Sequence, residues 1–210
     1  MRKILPGAYV KQTTQAEFPL ANCNMTSLYM AMDASGKHES DIIGLANDVA
    51  GAPKLTPVDF LTRLGDSKAA VDAMHEICPW FFKNGQAFVR PPEAPLMLDW
   101  IASQTYGGNP VKYTEGLTLS LLVEKIDAGR ATILRTLFTK AGHIVAAVGY
   151  ETDDAGKLSG VILRDPYGNP VNGYSNPAES GNEVTITTDM FFGWVREPGV
   201  ALKAAHVLVF

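Results

Sequence analysis

The sequence predicts an α+β fold, a helical half over residues 1–129 packed on an antiparallel β-sheet built from residues 130–210, with the two halves forming a single domain over 1–210. Three observations lead there. The spacing of apolar residues is helical up to Gly129 and changes afterwards to short β-branched runs bounded by turn residues. A length of 210 residues suits one domain with a full core. No repeat, low-complexity tract or long linker divides the chain, and Pro91-Pro92 and Gly107-Gly108-Asn109-Pro110 read as breaks between elements.

The elements follow in order. Residues 25–32 (Met-Thr-Ser-Leu-Tyr-Met-Ala-Met) predict a helix, with Asn22 and Asn24 as cap residues and Ser35-Gly36 as the stop. Thr56-Pro57 opens a second helix, with Thr as cap and Pro at the first helical position. Residues 67–78 carry apolar side chains at Ala70, Val71, Met74 and Ile77, a helical stripe ended by Pro79. Residues 95–105 and 118–128 repeat the pattern, and each is followed by glycine. Strands are expected at 131–138, 143–150, 160–164, 184–187 and 201–210, with a short helix at 189–195 before the last.

Composition excludes several functions. Lys+Arg 18 against Asp+Glu 22 gives a formal charge of -4 with no basic stretch, so a nucleic-acid partner is not expected, because phosphate neutralisation needs clustered Lys and Arg. No apolar run is long enough to span a bilayer. Met1-Arg2-Lys3-Ile4-Leu5-Pro6 lacks the sustained apolar stretch of a secretion signal, and the expected location is cytoplasmic as synthesised, with release by a non-signal route left open. Two cysteines, Cys23 and Cys78, are too few for a disulfide scaffold or a cysteine-based zinc site, although a single Cys23–Cys78 bridge stays open. The acidic residues are scattered rather than set at ligand spacing, so neither a metal nor an organic cofactor is expected.

Cys23 is the residue whose setting suggests chemistry. It directly precedes the first predicted helix, where the positive end of the helix dipole favours a thiolate. Cys78, on an apolar stripe before Pro79, reads as a small buried hydrophobe. A thiolate nucleophile needs a base to hold the ion pair and protonate a leaving amine. Of four histidines, His143 stands at a predicted strand start beside the Ala141-Gly142 turn; His38 and His75 read as exposed, and His206 as half-buried in the last strand. A lone histidine before an apolar strand is more often structural than catalytic. The strand 161–164 then runs into Asp165, and an antiparallel return after the polar turn 153–156 brings Asp165 to the His143 end of the sheet. There a carboxylate accepts the second ring proton and fixes the tautomer. Read alone, Asp165-Pro166-Tyr167-Gly168 is merely a turn.

Taken together, these segments carry a family resemblance. The blocks 142–150 (Gly-His-Ile-Val-Ala-Ala-Val-Gly-Tyr) and 161–168 (Val-Ile-Leu-Arg-Asp-Pro-Tyr-Gly) resemble the histidine and aspartate blocks of papain-like cysteine peptidases. The branch they resemble most is that of the bacteriocin-leader (double-glycine) peptidases and their stand-alone bacterial and phage relatives. The family's cysteine block, roughly Cys-Gly-Pro-Thr-Ser-Leu-Ala-Met, is similar to Cys23-Asn24-Met25-Thr26-Ser27-Leu28-Tyr29-Met30, with Asn24-Met25 in place of Gly-Pro. Tyr9-Val10-Lys11-Gln12 resembles the block that carries the oxyanion glutamine, which makes Gln12 the candidate and Gln15 the fallback.

The resemblance implies a papain-like fold with its site in the cleft between the halves, and a cysteine peptidase with Cys23 as nucleophile, His143 as base, Asp165 as orienting group and Gln12 as oxyanion donor. The implied substrate is a peptide, peptidoglycan peptides or a protein precursor among the choices; the oligomeric state is not implied. Two readings from other classes stay open: an inactive papain-like binding module, and acyl transfer to an amine in the manner of transglutaminases. The clusters Trp80-Phe81-Phe82 and Phe191-Phe192-Gly193-Trp194 are expected in the core, and 167–182 as a long loop near Asp165.

Overall fold

The computed structural model describes residues 1–14, 23–36, 82–83, 86–87, 111–114, 117–140, 142–176, 178–194 and 205–208. Strand β1 (Arg2–Ile4) opens the chain, and helix α1 (Cys23–Ala34) follows a 3-10 turn at Gln12–Thr14. Strands β2 (Phe82–Lys83), β3 (Gln86–Ala87) and β4 (Val111–Thr114) precede helix α2 (Leu119–Asp127). Strands β5 (Thr132–Thr136), β6 (His143–Thr152), β7 (Leu158–Arg164) and β8 (Val184–Thr187) come next, then helix α3 (Thr188–Trp194) and strand β9 (Ala205–Leu208).

Seven of these strands form one sheet in the order β4-β9-β5-β6-β7-β8, with β1 joined to β6, and every pairing in it is antiparallel. Strand β6 is the spine. Its one edge pairs with β7 along Ala146–Thr152, so its other edge must be shared: β5 takes His143–Ala147 and β1 takes Gly149–Glu151. The α+β class is therefore the observed one, but the sheet recruits β1 and β4 from the half read as mainly helical.

Each β6 residue from His143 to Tyr150 except Ile144 is buried, a near-continuous run typical of a strand covered on both faces. Helix α1 packs across β6 and β5 through Met30, Ala31, Met32 and Ala34, all in the core, and α2 covers the same sheet through Leu122 and Ile126. Thr118 caps α2 by accepting the Leu121 backbone N–H at 3.1 Å, and the helix closes at Ala128 as the sequence predicted. Helix α1 begins at Cys23, two residues earlier than expected, so Asn24 lies inside the helix and is not its cap. The helices expected from Thr56, at 67–78 and at 95–105, along with Asn22, Gln15, Cys78, His38 and His75, lie outside the described residues. Among the aromatics expected in the core, Phe191 is fully buried and Trp194 packs edge-on to Phe138 at 4.9 Å, while Phe192 is exposed. Among the described residues, no helix is long and apolar enough to cross a membrane.

Candidate active site

Cys23 is the first residue of α1, partly exposed and free of any disulfide. No acidic residue shares the first turn, so the positive end of the helix dipole is uncompensated there and favours an anion. One helical turn further on, the buried Ser27 hydroxyl donates to the Ile144 carbonyl at 2.8 Å. Residues four apart lie on one helix face. The bond therefore fixes the face that carries Cys23 directly against the strand residue after His143.

His143 begins β6, and the turn before it is closed by the Gly142 N–H donating to the Thr139 carbonyl at 3.0 Å. Gly142 takes φ 83°, a conformation that favours glycine, and this turn puts the histidine at the end of the sheet instead of within it. The Thr136 hydroxyl donates to the His143 carbonyl at 3.2 Å and steadies its backbone from β5. The ring is buried, and its Nε2 lies 2.7 Å from Asp165 Oδ1. That leaves Nδ1 for the Cys23 side chain, with which His143 also hydrogen-bonds.

Asp165 follows β7 and is fully buried. Its Oδ1 also accepts the Tyr167 backbone N–H at 2.8 Å, its Oδ2 accepts the Tyr174 hydroxyl at 2.8 Å, and its backbone carbonyl accepts the Tyr9 hydroxyl at 3.0 Å. The two sequence readings of Asp165 thus coincide in one side chain. It makes a two-residue side-chain turn at Tyr167 and contacts the histidine with the same oxygen. Burial alone would lower the His143 pKa, yet the bonds to Asp165 and Cys23 and their charges outweigh it and push it up to about 9. The ring is therefore positively charged at neutral pH, as an ion pair with a thiolate requires.

Gln12 is buried in the 3-10 turn, and its backbone N–H donates to the Pro166 carbonyl at 2.8 Å, so it is tied to the residue after Asp165. The structure brings Cys23, His143 and Asp165 together and attaches the Gln12 segment beside them. The long loop after Asp165 folds back on itself. The Asp165 N–H donates to the Gly181 carbonyl at 2.9 Å, and Glu179 Oε2 gathers the side-chain amides of Asn169 and Asn172 at 2.8 and 2.7 Å. Sequence reasoning missed Tyr9, Tyr174 and the anchoring role of Ser27. Ser27 left a signal in its four-residue spacing from Cys23, and Tyr174 one in the turn dipeptide before it. Among the described residues no cluster of His, Cys, Asp or Glu could hold a metal ion.

A helix that presents a cysteine to a histidine on an antiparallel sheet, with a carboxylate behind the histidine, is the arrangement of a papain-like cysteine peptidase. The model of the Peptidase_C39 like family matches residues 5–184, and the chain belongs to that family. A crystal structure from Bacillus anthracis, described as a C39-like peptidase, is similar in fold at a TM-score of 0.52 and 16% identity, covering 100% of this chain and 98% of that one. No curated protein matches the chain.

Proposed function

We propose that the chain hydrolyses peptide or amide bonds, with Cys23 as nucleophile, His143 as general base and acid, Asp165 as orienting group and Gln12 as oxyanion donor. The observation that carries this reading is the buried His143–Asp165 pair at 2.7 Å with Cys23 hydrogen-bonded to the same ring from a helix N-terminus.

The Cys23 thiolate attacks the substrate carbonyl and forms a C–S bond, and the carbonyl oxygen becomes an oxyanion. The Cys23 backbone N–H and the Gln12 side-chain amide stabilise that oxyanion. The intermediate collapses as the C–N bond breaks, and the His143 imidazolium delivers its proton to the departing amine. Neutral His143 then takes a proton from water, the hydroxide attacks the thioester, and the acid leaves as the thiolate and imidazolium are restored. Asp165 holds the ring through Nε2.

Within this class the substrate is a peptide, and peptidoglycan peptides are the first to test. Mass spectrometry of a peptide mixture and of purified peptidoglycan, each incubated with the protein and with Cys23→Ala, decides the matter. New cleavage products with the protein alone support the reading. Amine incorporation without hydrolysis would assign acyl transfer, and no product with any substrate, together with an unreactive Cys23, would leave a binding module.

A further inference from the structure

A fully buried carboxylate needs a donor for each oxygen. Asp165 Oδ1 faces His143 Nε2 and the Tyr167 N–H, both on one oxygen. Oδ2 receives the Tyr174 hydroxyl at 2.8 Å. Tyr174 reaches that place with φ 60°, a left-handed conformation that a side chain with a Cβ disfavours, directly after Gly173 at φ 67°. The loop holds an unfavourable backbone state at the one residue whose hydroxyl meets Oδ2. The ring is placed as tightly as the hydroxyl. It stands edge-on to the His143 ring at 6.0 Å and 82°, and edge-on to Tyr167 at 5.0 Å, while Tyr167 itself stands edge-on to His143 at 6.1 Å.

We propose that Tyr174 is a positioning residue whose hydroxyl pins the second carboxylate oxygen of Asp165, so that the first stays on His143, and whose ring joins that of Tyr167 in closing the His143–Asp165 pair to water. It deepens the peptidase reading and rests on it for its catalytic meaning. Among the described residues, the groups that face the His143 ring are Cys23 from α1 and Asp165, Tyr167 and Tyr174 from the segment after β7; those that face Tyr174 are His143, Asp165, Cys23 and Tyr167. Burial, then the charge of Asp165 and the bond to it, hold the Tyr174 phenol well above its ordinary pKa. It therefore remains a protonated donor across the whole range in which His143 titrates. Without that donor, Oδ2 must find another by rotation or by admitting water. Either change draws Oδ1 away from the imidazolium.

Tyr174→Phe keeps the ring and removes only the donor. The readout is the titration of the His143 ring by NMR, with the resonance assigned against His143→Gln. The midpoint should fall by roughly one pH unit, the effect of weakening one hydrogen bond between charged partners. Alkylation of Cys23 near neutral pH should slow by about three- to ten-fold as the ion pair weakens. Tyr167→Phe, whose contact with Asp165 runs through its backbone N–H, should leave the midpoint in place. A Tyr174→Phe midpoint that stays put or rises, with only the melting temperature lowered, overturns the proposal and leaves Tyr174 a loop staple. If Cys23 in the unsubstituted protein labels no faster than Cys78, the peptidase reading fails, and the His143 midpoint still decides what Tyr174 does.

Discussion

Replacing Asp165 with Asn should flatten the dependence of stability on pH. His143 has a pKa of about 9 in the folded protein against an ordinary value of 6.5. A histidine raised on folding contributes stability that is fully present below the unfolded pKa and is lost as pH rises through the folded one. The window is therefore 6.5 to 9, and the difference corresponds to a ceiling on the order of 3 kcal/mol. The other described groups with shifted pKa values start outside that window: the tyrosines Tyr9, Tyr150 and Tyr174 and Lys3 are raised from ordinary values above it, Asp127 is lowered from one below it, and Arg164 is lowered by burial from an ordinary value of 12.5. In Asp165→Asn the charge is gone and the amide oxygen offers Nε2 only a neutral acceptor, while burial still opposes the cation. The variant should lose about 1.5–3 kcal/mol at the acid end, as expected for one hydrogen bond to a charged group. It should then show little further loss towards the alkaline end. Urea unfolding followed below pH 6.5 and above pH 9 measures both. Because Cys23 bonds the same ring, the comparison is repeated on a Cys23→Ala background, where the difference between Asp and Asn must persist. An unchanged pH slope in Asp165→Asn would refute the reasoning, since the carboxylate would then not be what keeps His143 charged.

Three further outcomes are expected. Limiting iodoacetamide near neutral pH should modify Cys23 before Cys78 and abolish turnover; mass mapping that finds Cys78 modified first, with activity intact, would remove the nucleophile assignment. Gln12→Ala should lower kcat by two to three orders of magnitude, the effect of losing one oxyanion donor at ~2.7–4 kcal/mol, whereas Gln15→Ala should be mild, and steady-state kinetics on both variants would show a reversed ranking. Gly181→Ala places a Cβ against the Asp165 carbonyl and 2.6 Å from that of Gly168, so it should cost about 1–3 kcal/mol in urea unfolding and shift the His143 ring resonance, while a neutral result would mean that the loop can give way without moving Asp165.

How much of the fold could be read in advance depended on length. Strands β5 to β8 and helix α2 each carry enough residues to show their period or their cap, and their expected positions match within a few residues. Strand β1 could not be seen, because Arg2-Lys3-Ile4 is too short to alternate and becomes a strand only through pairing with Gly149–Glu151. Strand β4 is a different case. Val111-Lys112-Tyr113-Thr114 does alternate, but it is short and directly follows the Gly-Gly-Asn-Pro break, whose turn signal dominates the local pattern.

The site divides in the same way. Cys23, His143 and Asp165 stood out because each sits at the end of an element, and the end of an element shows in sequence as a change of pattern. Tyr174 sits in a loop between turn residues, and neither its positive φ nor its reach to Asp165 leaves any periodic mark. The signal available was Asn172-Gly173, a turn dipeptide that places the following residue against whatever lies behind the turn.

The orienting carboxylate and the segment that bears Gln12 are mechanically one unit. Arg164, buried beside Asp165, donates to the carbonyls of Leu5 and Pro6 at 3.1 and 3.2 Å. Its positive charge is met by Asp33 and Glu183, and Asp33 in turn accepts the Ala8 N–H at 2.5 Å. Tyr9 then donates to the Asp165 carbonyl and accepts the Gly181 N–H at 3.0 Å, and the Gln12 N–H closes onto Pro166. The N-terminal segment is thus strapped to the end of β7 and the turn after it at four points, Leu5, Pro6, Tyr9 and Gln12. A buried arginine satisfied by carbonyls is costly to leave unpaired, so releasing this strap would strand its charge as well as free the turn. Whatever displaces the segment that carries Gln12 must therefore also disturb Asp165, and the geometry of His143 is set by residues more than a hundred positions away in the chain as firmly as by its own strand.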